Sequence, residues 1–264
     1  MFNLMFITNN PEIALIAENS GVDRIWIDLE RNGKKARQGD NTWISDHTIS
    51  DISKVRQVLT KSQVLVRVNP WDVNSDNEIN DVVKQGADII MLPMWKNATQ
   101  VEQFYKAVNG RTHTILLLET KEAVECLDDI ISMHPEEIHI GLRDLSLSYG
   151  IKSIFQLYDT EVLEGIASKL RKANIKFGIG GVGKFGVGLA PGPEMILVED
   201  YRLGASAEIL SRTFCDIECL DINEINSSFK CGIKEFRKWE RLAEAMPSEI
   251  LQYNHTAMIH ELRA

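Results

Sequence analysis

Four apolar runs of this chain end in charge. "RIWIDLE" closes on Asp28 and Glu30, "VLVRVNP" carries Arg67 among valines, "TILLLET" ends on Glu119, and "IHIGLRDLS" leads into Asp144. The short motifs "LLLET" and "GLRDLS" around Glu119 and Asp144 contain neither Cys nor His. Two such carboxylates suit a hard, oxygen-seeking ion, Mg²⁺ or Mn²⁺, with water or substrate filling the rest of its shell. An arginine between valines costs stability unless it is paired. The planar fork of Arg67 suits a carboxylate or an enolate oxygen, and an internal ion pair with Asp28 or Glu30 would satisfy it equally. Taken singly, Glu119 can cap the helix that "TKEAV" begins, and Asp144 can sit in a turn. Taken together, at matching positions with Arg67 opposite, they favour a site.

"FGIGGVGKF" offers a different chemistry. Gly178, Gly180 and Gly183 fit G-x-G-x-x-G, while Gly178, Gly183 and Lys184 fit G-x-x-x-x-G-K. Both nucleotide motifs need a helix directly after the loop, whose amides hold the phosphate. Here "KFGVGLAPGP" follows, with Gly186, Gly188, Pro191, Gly192 and Pro193 against a helix. Position 185 is Phe, where a P-loop needs Ser or Thr. Glu199 and Asp200 stand about 20 residues on, as a ribose-binding acid would, but too little chain follows for a dinucleotide fold. The Gly178–Lys184 stretch is read instead as a place where backbone amides receive an anion, or as a flexible surface loop.

The elements that must position these residues follow from hydrophobic rhythm. Strands are expected at 3–8, 24–29, 64–68, 88–92, 114–119, 137–142, 176–180 and 207–211, with helical patterns between them. Several runs are apolar on both faces, as a doubly covered parallel sheet requires. Eight strand–helix units in 264 residues imply an α/β (β/α)8 TIM barrel with a C-terminal helical extension, one domain over 1–264. "KEAVECLDDIISM" reads as one helix and "CGIKEFRKWERLAEAM" (231–246) as the eighth.

A net charge of −9 argues against a nucleic-acid partner. There is no positive n-region at the start and no apolar run of about 18 residues. No membrane association and a cytoplasmic location are therefore expected. Cys126, Cys215, Cys219 and Cys231 complete no zinc pattern and are expected to be reduced, buried thiols. The apolar positions Ile233, Phe236, Trp239 and Leu242 fit either a barrel helix or a homo-oligomer interface, and the segment 248–264 can add another interface helix.

"GVDRIWIDLE", "VLVRVNP", "GADIIMLPM", "LLLETKEAV" and "IHIGLRDLSLSYG", in this order and spacing, resemble the metal-dependent class II 2-oxo-acid aldolase and citrate lyase beta-chain family of the phosphoenolpyruvate/pyruvate barrel superfamily. The resemblance is close over roughly residues 20–150 and otherwise one of layout. It implies that Glu119 and Asp144 hold Mg²⁺ or Mn²⁺, that Arg67 binds the substrate's carbonyl or enolate oxygen, and that Asp28 and Glu30 form the acidic cluster after strand two. It further implies that the backbone of Gly141, Leu142 and Arg143 holds a substrate carboxylate. The reaction implied is aldol cleavage or condensation of a small 2-oxo acid through a metal-bound enolate.

The chain departs from that pattern. Arg31 stands where the aldolase branch has a proton-transferring His, and Leu117 where it has Gln. Arg31 stays protonated and is a poor base. Lys34, Lys35 and Arg37, in the charged loop 31–47, can greet an anionic substrate or simply be solvated; His47 can supply the missing base from that loop or be an exposed loop residue, and His139 reads as a packed barrel residue. Two alternatives stand beside the aldolase: a lyase for a malyl or citramalyl coenzyme A thioester, and a metal-binding barrel with a binding or regulatory role.

Overall fold

Short β-branched runs give strands β1 (Asn3–Ile7), β2 (Arg24–Asp28), β3 (Gln63–Arg67), β4 (Ile89–Leu92), β5 (His113–Leu118), β6 (Glu137–Ile140), β7 (Lys176–Val182) and β8 (Ala207–Leu210). In the computed structural model, which describes residues 1–38 and 44–264, all eight pair in parallel and in chain order. β8 returns to β1 and closes the barrel. Each strand ends within two residues of its expected bounds.

Side chains alternate across each strand, so two cores form. Met5, Trp26, Leu65, Ile89, Met91, Ile115, Leu117 and Ala207 fill the lumen. Leu4, Ile25, Ile27, Val64, Val66, Ile90, Leu116 and Ile138 face outward into a larger core beneath the helices. That double burial is why the strands read as unbroken apolar runs.

The helices are α1 (Pro11–Ser20), α2 (Lys34–Gln38), α3 (Ile49–Val58), α4 (Ser75–Lys84), α5 (Ala98–Val108), α6 (Lys121–Glu125), α7 (Leu127–Ser132), α8 (Leu142–Ser148), α9 (Glu161–Lys172), α10 (Pro193–Leu203), α11 (Ile222–Ala245) and α12 (Ser248–Arg263). Local signals start and stop them. The Asn10 side chain accepts from the amides of Glu12 and Ile13, and Gly21, at φ 102°, ends α1.

Three expectations change. The segment read as one helix breaks at Cys126 into α6 and α7. Pro193 opens α10, where its missing N–H costs nothing, although 183–192 are free of helix. The eighth barrel helix, α11, begins at Ile222 because Asp221 caps it.

The apolar face of α11 is used internally: Ile233 and Phe236 are buried, and Phe2 meets Phe236 edge-on at 5.9 Å. Leu242 is exposed. The thiols also differ from expectation, since only Cys215 is buried while Cys219 and Cys231 are exposed. Among the described residues no helix is long and apolar enough to cross a membrane.

Candidate active site

The lumen-facing residues at the C-terminal ends of β2, β3 and β5 are charged. Asp28 and Arg67 end neighbouring strands in register, and Glu119 follows β5 directly. Asp144 lies in the first turn of α8, after β6. These four side chains line one pocket of about 480 Å³, together with Gly141, Leu142 and Arg143. The ends of the strands thus converge, as they do where barrel enzymes carry their chemistry.

Arg67 takes the internal pair, and more. Its Nε and Nη2 donate to the two oxygens of Asp28 at 2.9 and 2.8 Å. Its Nη1 lies 3.3 Å from Oε2 of Glu30, and its guanidinium sits 5.1 Å over the Trp26 ring. Burial opposes the charge on Arg67, but Asp28 and Glu30 outweigh it and raise its pKa. Asp28 is buried too, yet Arg67 and Lys34 hold it well below the usual carboxylate range.

The helix α2 folds onto this acid cluster. Lys34 reaches Asp28 at 3.1 Å and Glu30 at 3.5 Å. Arg37 reaches Glu30 at 2.6 Å and Asp144 at 3.5 Å. These two bases therefore face inward onto acids, while Lys35 is exposed. Residues 39–43 of the charged loop lie outside the described residues. Ser45 beyond them donates to Asp28 at 3.1 Å. His47 is buried, contrary to expectation: its Nδ1 accepts from the Asp28 amide at 3.0 Å, and burial lowers its pKa. Arg31 is exposed and donates to the His47 carbonyl, so it stays out of the pocket.

Glu119 carries the strain of the cluster. It is 3 % exposed, its Oε1 accepts from the Met94 amide at 3.0 Å, and the cap of α6 is Thr120 instead. Burial and the charge of Glu30 push its pKa up to about 8 against the pull of Arg67, and Asp144 adds to the rise. A Cβ at Gly141 would lie 2.9 Å from its Oε2, so glycine leaves room for this carboxylate. Two buried hard-oxygen groups that repel one another fit a small divalent ion, which needs only one or two protein carboxylates beside substrate and water. Among the described residues no group of three or more His, Cys, Asp and Glu assembles as a metal cage.

The glycine stretch is part of the barrel rather than a nucleotide loop. β7 continues through Gly180 and Gly181 to Val182, and its register against β8 shifts between Gly178 and Gly181. A Cβ on Gly178 would meet Nδ1 of His139 at 2.3 Å, and one on Gly180 would meet Leu142 at 2.5 Å. His139 is fully buried in the lumen, as expected, with Nε2 3.1 Å from the Gly180 carbonyl.

The family profile of the HpcH/HpaI aldolase/citrate lyase family matches residues 3–182, more than half of the chain. The chain belongs to this family. Two solved structures share its fold. An HpcH/HpaI aldolase from Desulfitobacterium hafniense DCB-2 superposes with a TM-score of 0.59 at 17% identity, covering 90% of this chain and 93% of that one. RipC from Yersinia pestis gives 0.57 at 16%, covering 87% and 95%. No match among curated proteins reaches significance. An HpcH/HpaI barrel is a lyase scaffold, so the chemistry to assign is that of a lyase.

Sequence reasoning offered Lys34 only as a loop base for an anionic substrate or for solvent, and it missed Ser211 and Arg212, which follow β8 and also line the cavity. Lys34 opens the short helix α2, which the hydrophobic pattern does not encode. Ser211 and Arg212 were within reach of the same rule that found Asp144, a polar residue just past an apolar strand.

Proposed function

We propose that this HpcH/HpaI family member is a divalent-metal-dependent carbon–carbon lyase that cleaves or forms an aldol bond of a 2-oxo acid through its enolate. The observation that carries the reading is the convergence of Glu119, Asp144 and Arg67 on one pocket. Mg²⁺ or Mn²⁺ bound by Glu119 and Asp144 would supply Lewis acidity where the enolate oxygen gains charge. Arg67 adds a fixed positive charge to the same place. Because Asp28 grips it at two points and Glu30 at a third, it needs no reorganisation as that charge develops. Asp28 and Glu30 act by positioning Arg67. Gly141, Leu142 and Arg143 form the wall for the substrate carboxylate, and Leu117 and Ile209 exclude water beside it.

Proton transfer must differ from that of the histidine-bearing aldolases. No histidine lines the pocket among the described residues. Asp28 is held ionised by Arg67 and Lys34, and Glu119 and Asp144 would hold the ion. Lys34, on the pocket wall and bonded to Asp28, is left as the side chain to carry a proton to or from the substrate carbon.

Exchange of the pyruvate methyl protons with D2O, followed by NMR, tests this reading. Exchange should require Mg²⁺ or Mn²⁺ and vanish in Glu119→Gln and Asp144→Asn. In Lys34→Met, exchange should fall while the metal still binds. A wild-type protein that binds metal yet exchanges nothing would overturn the 2-oxo-acid reading and favour a thioester substrate or a binding role.

A further inference from the structure

The cavity has two sides of opposite character. Around β2, β3, β5 and α8 it is charged, through Asp28, Arg67, Glu119 and Asp144. Around β7, β8 and β1, neighbours in the closed sheet, the strands present Gly180, Gly181, Ile209 and Ile7 to it. Ile7 and Ile209 pack against the apolar lumen core, and both are partly exposed where they line the cavity. Gly180 leaves room for another apolar group, since a Cβ on it would lie 2.5 Å from the Leu142 side chain. Ile154, in the 3-10 turn Ile154–Asp159, lines the same cavity.

The polar groups of the β7–β8–β1 arc are already in use. Ser211 Oγ and Thr213 Oγ1 are bonded to each other at 2.8 Å. Arg212 is exposed and interacts with Glu218 and Asp28. The Gly180 carbonyl lies 3.1 Å from Nε2 of His139, and Gly181 pairs with Ile209 in the sheet. A carboxylate or hydroxyl group carried onto this arc would give up water for groups that already have partners. An alkyl chain would exchange water for the Ile7 and Ile209 side chains, a gain of about fourfold in affinity per buried methylene.

Resting on the lyase reading for the charged side of the pocket, we infer that the β7–β8–β1 arc is an apolar subsite, and that the fragment the enolate joins or leaves is an oxo compound with an alkyl chain rather than a charged or hydroxylated tail. The 2-oxo-acid head faces Glu119, Asp144 and Arg67, and the chain beyond the reacting bond runs across Ile209 and Ile7. Leu117, also on the cavity wall, carries the apolar floor toward Glu119.

The test is isothermal titration of the protein, in the presence of Mg²⁺, with pyruvate, 2-oxohexanoate and 2-oxoadipate. The last two are equal in chain length and differ only at the end of the tail, methyl or carboxylate. 2-Oxohexanoate should bind about tenfold or more tightly than either of the others. Ile7→Thr and Ile209→Thr, which keep the β-branched frame that a strand favours, should each reduce that preference severalfold. Equal affinities, tighter binding of 2-oxoadipate, or a preference untouched in both variants would overturn the proposal. Pyruvate exchange on the same protein separates the two readings. Preference for the alkyl tail without exchange keeps the subsite and removes the lyase, whereas exchange without that preference does the reverse. Binding of none of the three acids would remove both.

Discussion

At the N-terminal end of β2, Arg24 meets Glu137; at its C-terminal end, Asp28 meets Arg67. Both pairs face the lumen, are largely buried and are joined at two points, at 2.6 and 2.8 Å for Arg24–Glu137 and 2.9 and 2.8 Å for Arg67–Asp28. The first is closed. His113 lies 3.6 Å from Glu137, and although burial raises Glu137, His113 and Arg24 bring its pKa to about 2. The second is open: Asp28, Glu30, Glu119 and Asp144 gather around Lys34, Arg37 and Arg67. Burial, with Glu30 and Asp144 close by, pushes the Glu119 pKa up to about 8. Similar bonds thus close one end of the barrel and leave a strongly perturbed carboxylate at the other, the kind of group that tends to mark function.

The largest effect that could break this comparison is kinetic. Glu119→Gln should lower metal-dependent pyruvate exchange by about a thousandfold without lowering stability, because it removes a buried acid from like charges. At the closed end the outcome should invert. Arg24→Met should cost about 3–5 kcal/mol in urea unfolding, since it strands Glu137 in the lumen. Arg24→Met with Glu137→Leu should recover most of that loss.

A third buried acid cluster sharpens the contrast, because among the described residues no arginine bonds to it in the way Arg24 and Arg67 bond to their partners. Asp200 on α10 and Glu208 on β8 are fully buried, and Tyr158 donates to Asp200 at 2.8 Å. Burial pushes Asp200 up to about 8 against the hydrogen bond from Tyr158, and burial with Asp200 beside it raises Glu208 well above the usual carboxylate range. The folded state therefore keeps protons that the unfolded chain gives up near pH 4. Stability should fall by an amount on the order of a few kcal/mol as pH rises from about 4 to about 8. Glu208→Gln should flatten that slope in denaturation curves recorded across the range.

The smallest effect concerns the lumen beneath the site. Gly178→Ala places a methyl against His139 and the Ala207 carbonyl and should cost about 1–3 kcal/mol. Adding His139→Ala should relieve part of it, leaving the clash with the carbonyl.

The fold and half of the site were legible in the sequence for one reason. A doubly buried strand is apolar until it leaves the barrel, so Asp28, Arg67 and Glu119 appear as the charges that end it. Contacts made across the chain are not written that way. Arg24 and Glu137 sit at strand starts 113 residues apart, and nothing local pairs them. Lys34, Arg37 and His47 belong to a charged segment whose fold depends on the acids it meets, which is why His47 read as exposed. The glycines from Gly178 to Gly183 matched nucleotide patterns because such patterns record only missing side chains. Here the reason for each absence is a neighbour: His139, Leu142, Ile209 or Thr213.

The central claim is that the open end, and not the closed one, is built for a cation. Mn²⁺ binding followed by electron paramagnetic resonance tests it on the wild type, Glu119→Gln and the Arg24→Met, Glu137→Leu double variant. The account predicts one site per chain in the wild type and in the double variant, lost in Glu119→Gln. Equal binding in Glu119→Gln, or loss of binding when only the Arg24–Glu137 pair is replaced, would contradict it.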